Sequence, residues 1–475
     1  MKIDQQILKI IAVVFIVWVY WFVNPLSFTS EQVFVSAIAL LMIAFWTLEL
    51  LPLPVVALFP ILIFPYHDVL SWDSISKAYS NPMIFLFMGG FFLSLAIEKW
   101  NLHKRIALNI INFTGTSGNK VILGFIISTG FLSMWLSNTA TTMMMFPIAL
   151  AVIKMVETTP SIDSRSVKNF SFCMMIVIAY ASNFGGIATI IGTPPNVAFN
   201  SYLQSQNHQE ISFFKWMAIC TPLAIVILIC LYFILVKFMY PNTIKSNPEI
   251  VQFIKKEIKS LGKMNKAEIS VISIFLFTVI LWIFKDLLNG FLPIKLDDTR
   301  IALTGGILLF IIRIDKSTAL LEWEDTKKMS WGILLLFGGG MALANALEKV
   351  GLLKLIGEYI QSFGAIGFSS ILIMIILISI FLSELMSNIA QVIVLAPIIG
   401  GIAESMNYSG IQLGLAMTLA ASCASMLPMG TPPNAIAFSS GMIEMRSMLK
   451  IGFIMNLVCI VLIFLFCRYI FPFTY

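Results

Sequence analysis

Two stretches of the chain place a Ser-Asn pair inside an apolar run: "SNTATTMMMFPI" from Ser137 and "SNIAQVIVLAPI" from Ser387. Two more carry Gly-Thr-Pro-Pro-Asn, "GTPPNVAF" at Gly192–Phe199 and "GTPPNAIAF" at Gly430–Phe438. Ser and Asn favour helix N-caps, where their side-chain oxygens accept from orphan backbone N–H groups. Two consecutive prolines cannot continue a helix, and glycine permits a close turn. Each stretch therefore marks a helix end. In hydrocarbon an unpaired peptide group is so costly that such ends persist at depth only when buried in protein or lining a wet cavity. Free carbonyls at a break suit a cation, whereas helix N-termini and Asn or Thr donors suit an anion. Joint binding of the two is the chemistry on offer. The plainer reading is that Ser-Asn glues helices together and Pro-Pro only kinks one.

The elements that hold these breaks are apolar almost throughout. Of 475 residues, 59% are apolar and 11% charged, with a mean hydropathy of +0.93, whereas a soluble domain is roughly a quarter charged. The expected fold is an all-α polytopic membrane protein. Crossings are expected at 7–24, 32–52, 53–66, 82–100, 170–199, 214–238, 268–289, 300–314, 331–350, 411–438 and 450–471, about 11 in all, against the ~20 residues a bilayer needs. The runs 120–155 and 367–405 have their Ser-Asn near the centre and read as two re-entrant helical hairpins with tips at Asn138 and Asn388. The helices at 170–199 and 411–438 should break at their GTPPN pieces. A Lys-rich linker, 241–267, divides an N-terminal half, 1–240, from a C-terminal half, 268–475. It reads either as a cytoplasmic tether or as a helix that binds anionic lipid.

The halves are related. Gly89-Gly90 matches Gly339-Gly340, Glu98-Lys99 matches Glu348-Lys349, and Phe131-Leu132-Ser133 matches Phe381-Leu382-Ser383. Ser137-Asn138 and Pro147-Ile148 match Ser387-Asn388 and Pro397-Ile398 in the same ungapped register. An odd number of expected crossings separates equivalent points, so the repeat is expected to be inverted, as in many secondary transporters. The net charge of +6 encodes orientation more than an acidic partner, and no nucleic acid is expected. With a cytoplasmic N-terminus, most lysines and arginines fall on the cytoplasmic side.

At these motifs the chain resembles the divalent anion:sodium symporter (DASS) family, over nearly its full length. The resemblance implies sodium as the co-transported ion, no organic cofactor, and a bacterial plasma-membrane homodimer embedded in lipid. Each protomer would have a scaffold and a transport domain that moves like an elevator. It implies a first sodium site at Ser133, Ser137, Asn138 and the backbone of Gly192. A second would use Ser383, Asn388 and the backbones of Met386 and Gly430. Substrate would meet Asn138, Thr139 and Asn388, near Ile389 and the Thr193-Pro194 and Thr431-Pro432 turns. The expected cargo is a small dianion, foremost a C4-dicarboxylate, with sulfate or citrate transport and sodium-independent exchange as alternatives.

Ile389 stands where the family often has threonine, and an isoleucine cannot donate to a carboxylate. Either it faces a methylene chain, or Gln391 compensates, or the position tolerates apolar residues. Glu384 is expected to pack inside the transport domain or to join the second cation site; Glu49 could reach the interface. The glycine clusters are expected to permit close helix approach. Single cysteines within apolar runs offer neither a disulfide framework nor a metal spacing. His67, His103 and His208 fall in expected connections and read as surface residues. No metal constellation or Ser/His pairing at depth supports an enzyme, and hairpins that close a path from each side argue against a channel.

Overall fold

The computed structural model describes residues 5–159, 162–206, 211–245, 248–291, 293, 295–362 and 367–474. Within them the chain is helical, and Arg313 and Ala319 form an isolated bridge. Ten described helices are long and apolar enough to cross a bilayer. Only helices and closed barrels satisfy their own backbone groups there, and this chain takes the helical solution. It is an integral membrane protein.

Three expected crossings differ in detail. The stretch at 53–66 is two short helices, Leu53–Val56 and Phe59–Ile63, and a 3-10 turn, Phe64–His67. Pro54, Pro60 and Pro65 each sit in the first turn of a piece, where a missing N–H does no harm but the preceding ladder must stop. The crossing at 300–314 is the shorter helix Asp298–Ile311. The helix expected from residue 170 begins at Ser164, where the Asp163 carboxylate accepts from Ser166 N at 2.9 Å.

The order of elements occurs twice. Pro82–Lys99, the lateral helix Leu102–Thr114, a hairpin of Gly118–Ser133 and Asn138–Glu157, a helix interrupted between Ser164–Gly186 and Pro194–Ser205, and Phe213–Phe233 make the first series. Trp331–Lys349, Leu352–Gln361, Phe368–Leu382 with Asn388–Ser405, Gly410–Ala421 with Pro432–Ser439, and Met445–Leu465 make the second. Both lateral helices start from a left-handed residue, Asn101 at φ 54° and Gly351 at φ 75°. Asn and Gly are the residues that adopt this conformation most readily.

The two series interlock. Pro432–Ser439 packs on Ser164–Gly186 and Asn138–Glu157, whereas Pro194–Ser205 packs on Asn388–Ser405 and Gly410–Ala421. The second half of each broken helix thus lies against the other series' hairpin. Glycine clusters serve close approach: a Cβ on Gly89 would lie 2.6 Å from the Ala302 backbone, and one on Gly339 would lie 2.3 Å from Ala57 O.

The linker is fastened down. Its helix, Pro248–Ser260, lies on Leu102–Thr114 and Asn138–Glu157, with Lys104 Nζ 2.7 Å from Glu257. Arg105 grips Glu268 through two hydrogen bonds, 2.9 and 3.1 Å, and donates to the carbonyls of Leu261 and Gly262. His103 departs from expectation. It is buried in the lateral helix, its Nδ1 3.3 Å from Ile97 O. His208 lies outside the described residues. Glu49 is exposed just past the helix Ser30–Thr47.

Candidate ion and anion site

The first hairpin turns at Met134–Leu136, and its second arm starts at Asn138 with Ser137 as N-cap. The Ser137 hydroxyl accepts from Ala140 N at 3.3 Å. This turn folds Ser133 back onto Asn138. Ser133 Oγ lies 2.8 Å from the Asn138 amide and 2.7 Å from the carbonyl of Ser182 on the first broken helix. A hydroxyl has one proton and can serve only one of them. The same end of the amide lies 3.1 Å from Ser182 O and 3.2 Å from Gly192 O. With its nitrogen inward, the Asn138 amide has two protons to share among the three oxygens. With its oxygen inward, four oxygens converge with one proton among them, a donor set for a hard cation.

The second hairpin repeats the arrangement. Ser383 Oγ lies 2.5 Å from Asn388 Oδ1 and 2.5 Å from Ala421 O, again one proton between two acceptors. Among the described residues the Asn388 amide nitrogen donates to no protein group. Neither does the Thr139 hydroxyl, on the first turn of its arm. Ser387 holds the N-cap position but makes no side-chain cap bond.

Each hairpin tip is pinned to the unwound stretch of its own broken helix, by different chemistry. In the first series Thr189 Oγ1 donates to Met134 O at 2.5 Å and accepts from Gly192 N at 3.0 Å. In the second, Glu384 takes the place of Met134. Its carboxylate, 3% exposed, accepts from the N–H groups of Ser425, Met426 and Leu427 at 2.7, 2.8 and 2.9 Å and from Asn456 Nδ2 at 2.8 Å. Glu384 is therefore a packing partner inside this region, and these four donors engage both of its oxygens.

The last residue of each GTPPN closes the break. Asn196 Nδ2 donates to Thr189 O at 2.8 Å and Gly186 O at 3.3 Å; Asn434 Nδ2 donates to Leu427 O at 3.2 Å and Ala424 O at 3.4 Å. These carbonyls belong to the interrupted ladder, and among them Leu427 O also accepts from Gly430 N at 3.1 Å in the 3-10 turn Pro428–Gly430. Thr431 caps the second half-helix by accepting from Asn434 N at 3.2 Å, whereas Thr193 caps by position without a side-chain bond.

A family model described as the sodium:sulfate symporter transmembrane region matches residues 4–472. The chain belongs to this family. Its members are transporters and not enzymes, in keeping with the DASS resemblance of the motifs. Among relatives, the sodium-dependent dicarboxylate transporter SdcS of Staphylococcus saprophyticus is 38% identical over 456 residues, covering 94% of this chain and 88% of that protein. SdcS of Staphylococcus aureus is 38% identical over 459 residues, covering 95% and 88%. A solved structure of Neisseria gonorrhoeae MtrF, from work on a class of antimetabolite efflux pumps, has a TM-score of 0.57 at 14% identity. It covers 87% of this chain and 84% of that one, a likeness of fold alone.

Within this family member, Ser133, Asn138 and Gly192 come together, as do Ser383 and Asn388. Ser137 reaches the tip, but its hydroxyl is engaged in capping. Gly430 lies against Glu384: a Cβ there would be 2.9 Å from Oε2. Met386 follows in the tip turn, its N–H bonded to Leu382 O at 3.2 Å. Ile389 is half-buried, Pro194 is half-buried and Pro432 exposed, while Thr193 and Thr431 are buried. Gln391 turns away from the tip, donating to Ser379 O at 2.9 Å and Ser379 Oγ at 2.6 Å. It does not replace the donor that Ile389 lacks. The carbonyls of Ser182 and Ala421 were not legible, since a backbone oxygen has no residue type to announce it.

Proposed function

We propose that this protein imports a small dianion, foremost a C4-dicarboxylate such as succinate, malate or fumarate, together with sodium. The paired acceptor clusters carry the reading. With the asparagine oxygen inward, each holds more oxygens than protons and stands where a broken helix frees carbonyls, the setting in which transporters bind sodium. Ser133, Asn138 and the carbonyls of Ser182 and Gly192 would hold one ion; Ser383, Asn388 and the Ala421 carbonyl would hold another, with Met386 and Gly430 contributing backbone. The free amide of Asn388 and hydroxyl of Thr139 are donors for carboxylate oxygens, and Asn138 adds its own. The Thr193-Pro194 and Thr431-Pro432 turns complete the surround. Ile389 suits the methylene chain of a dicarboxylate better than the uniformly polar surface of sulfate, in line with what the staphylococcal relatives carry.

Sodium supplies the driving force. Bringing a dianion in against a negative interior costs about 2.3 kcal/mol per charge per 100 mV, so a third sodium ion makes entry electrically downhill. Every proposed ligand lies on the two hairpins and the two broken helices, so these can travel as one body. That supports an elevator motion of an inverted repeat; the lysine and arginine bias favours a cytoplasmic N-terminus, and the family resemblance favours a homodimer in the bacterial plasma membrane.

The deciding experiment is uptake of radioactive succinate into proteoliposomes with sodium or choline outside, competed by malate, fumarate, citrate and sulfate. Uptake is expected with sodium alone and inhibition by the C4 acids. Uptake that ignores the cation and requires internal dicarboxylate would make the protein an exchanger. A second outcome is expected from Gly192→Ala. Its Cβ would lie 2.5 Å from Gly186 O and 3.0 Å from Ser133 O, both fixed backbone. Overpacking of this kind costs about 1–3 kcal/mol, so half-saturating sodium should rise about ten-fold. A wild-type sodium titration would remove Gly192 from the first site.

A further inference from the structure

One set of bonds joins the two series asymmetrically. Asn183, 1% exposed, follows Ser182, whose carbonyl belongs to the first oxygen cluster. Its Nδ2 crosses to the second broken helix and donates to Thr431 Oγ1 at 3.0 Å and Asn434 Oδ1 at 3.3 Å. Thr431 follows Gly430 and caps the helix Pro432–Ser439. One turn earlier, the hydroxyl of the fully buried Tyr180 donates to the carbonyl of Ser425. The Ser425 N–H is in turn held by Glu384. Among the described residues the reverse connection is missing from the corresponding place. Ser422, the residue after Ala421, spends its hydroxyl on Thr418 O at 3.3 Å within its own helix.

We propose that Asn183, assisted by Tyr180, is a positioning residue that couples the two cation clusters, so that filling one raises the affinity of the other. The proposal rests on reading both clusters as sodium sites. An ion drawing on the Ser182 carbonyl fixes the backbone that carries Asn183. Asn183 fixes Thr431, and with it the turn that presents Gly430 and the start of the second half-helix. Coupling of this kind is reciprocal, so the second ion equally orders the first site. Asn183 touches neither ion nor substrate. Its contribution lies in cooperativity.

The test is a sodium titration of the purified full-length protein without substrate, at constant ionic strength with choline, followed by melting temperature. Wild type should give a Hill coefficient above one. Asn183→Ala should bring it to about one and raise half-saturating sodium at least about five-fold, the low end of typical coupling between sites. Tyr180→Phe should move both in the same direction by less. Asn200→Ala is the control. It removes a buried amide that exchanges hydrogen bonds with Ile211 at 3.0 and 2.9 Å, and should lower the melting temperature with the Hill coefficient unchanged. A cooperative Asn183→Ala protein, or a non-cooperative wild type, overturns the bridge. A wild type that does not respond to sodium overturns the sodium reading itself. Should Asn183→Ala not fold, unchanged cooperativity in Tyr180→Phe overturns the proposal.

Discussion

Asn138→Ala and Asn388→Ala are each expected to abolish sodium-driven dicarboxylate uptake, by at least about a hundred-fold, in protein that still folds. Each asparagine is the first helical residue of its arm, a place where alanine is a good helix former, so the hairpins should survive. The loss falls on the clusters. Removing Asn138 strips the group that approaches Ser133, Ser182 and Gly192 together. Removing Asn388 leaves Ser383 with Ala421 O alone. One partner lost from a charged or buried hydrogen-bonded set costs about 1–3 kcal/mol, and in the proposed site each asparagine would serve cation and anion alike, so the effects would multiply. Proteoliposome uptake, normalised to monodisperse protein recovered, measures this. Full activity in either variant excludes that residue from the site.

Glu384→Ala should be the most destabilising single substitution of those considered. It would leave the N–H groups of Ser425, Met426 and Leu427 and the amide of Asn456 without their acceptor. At about 1–3 kcal/mol for each orphaned buried group, the total reaches the 5–15 kcal/mol by which a typical protein is stable. Little folded protein should be recovered. Glu384→Gln keeps the shape but points an NH2 at N–H donors, so it should melt well below wild type even without sodium. A Glu384→Gln protein with wild-type melting and no sodium response would reassign the carboxylate from the unwound backbone to the ion.

The legibility of these features in the sequence follows physical lines. The helix breaks were readable because Pro-Pro, Gly and Ser-Asn act locally, and their double occurrence made chance a poor account. The repeat of elements followed from the same landmarks. The broken stretch Leu53–His67 was readable too, had Pro54, Pro60 and Pro65 been weighed as heavily as Pro194-Pro195. Asn196 and Asn434 were visible as motif members, but their task of satisfying severed carbonyls needs the fold of the break. Glu384 could be seen as an intramembrane acid without its partners, three of which are backbone groups some forty residues away. Tyr180 and Asn183 carried no signal within a helix buried throughout from Phe170 to Gly186.

The exchange of half-helices between the two series bears on biosynthesis. As the chain emerges, Pro194–Ser205 is complete long before Asn388–Ser405 and Gly410–Ala421, the surfaces on which it comes to rest. At 12 residues it is too short to cross a bilayer unaided. The first series must therefore leave the ribosome unfinished, its interrupted helix waiting for partners still to be translated, and membrane assembly ends only when the C-terminal series inserts and closes around it.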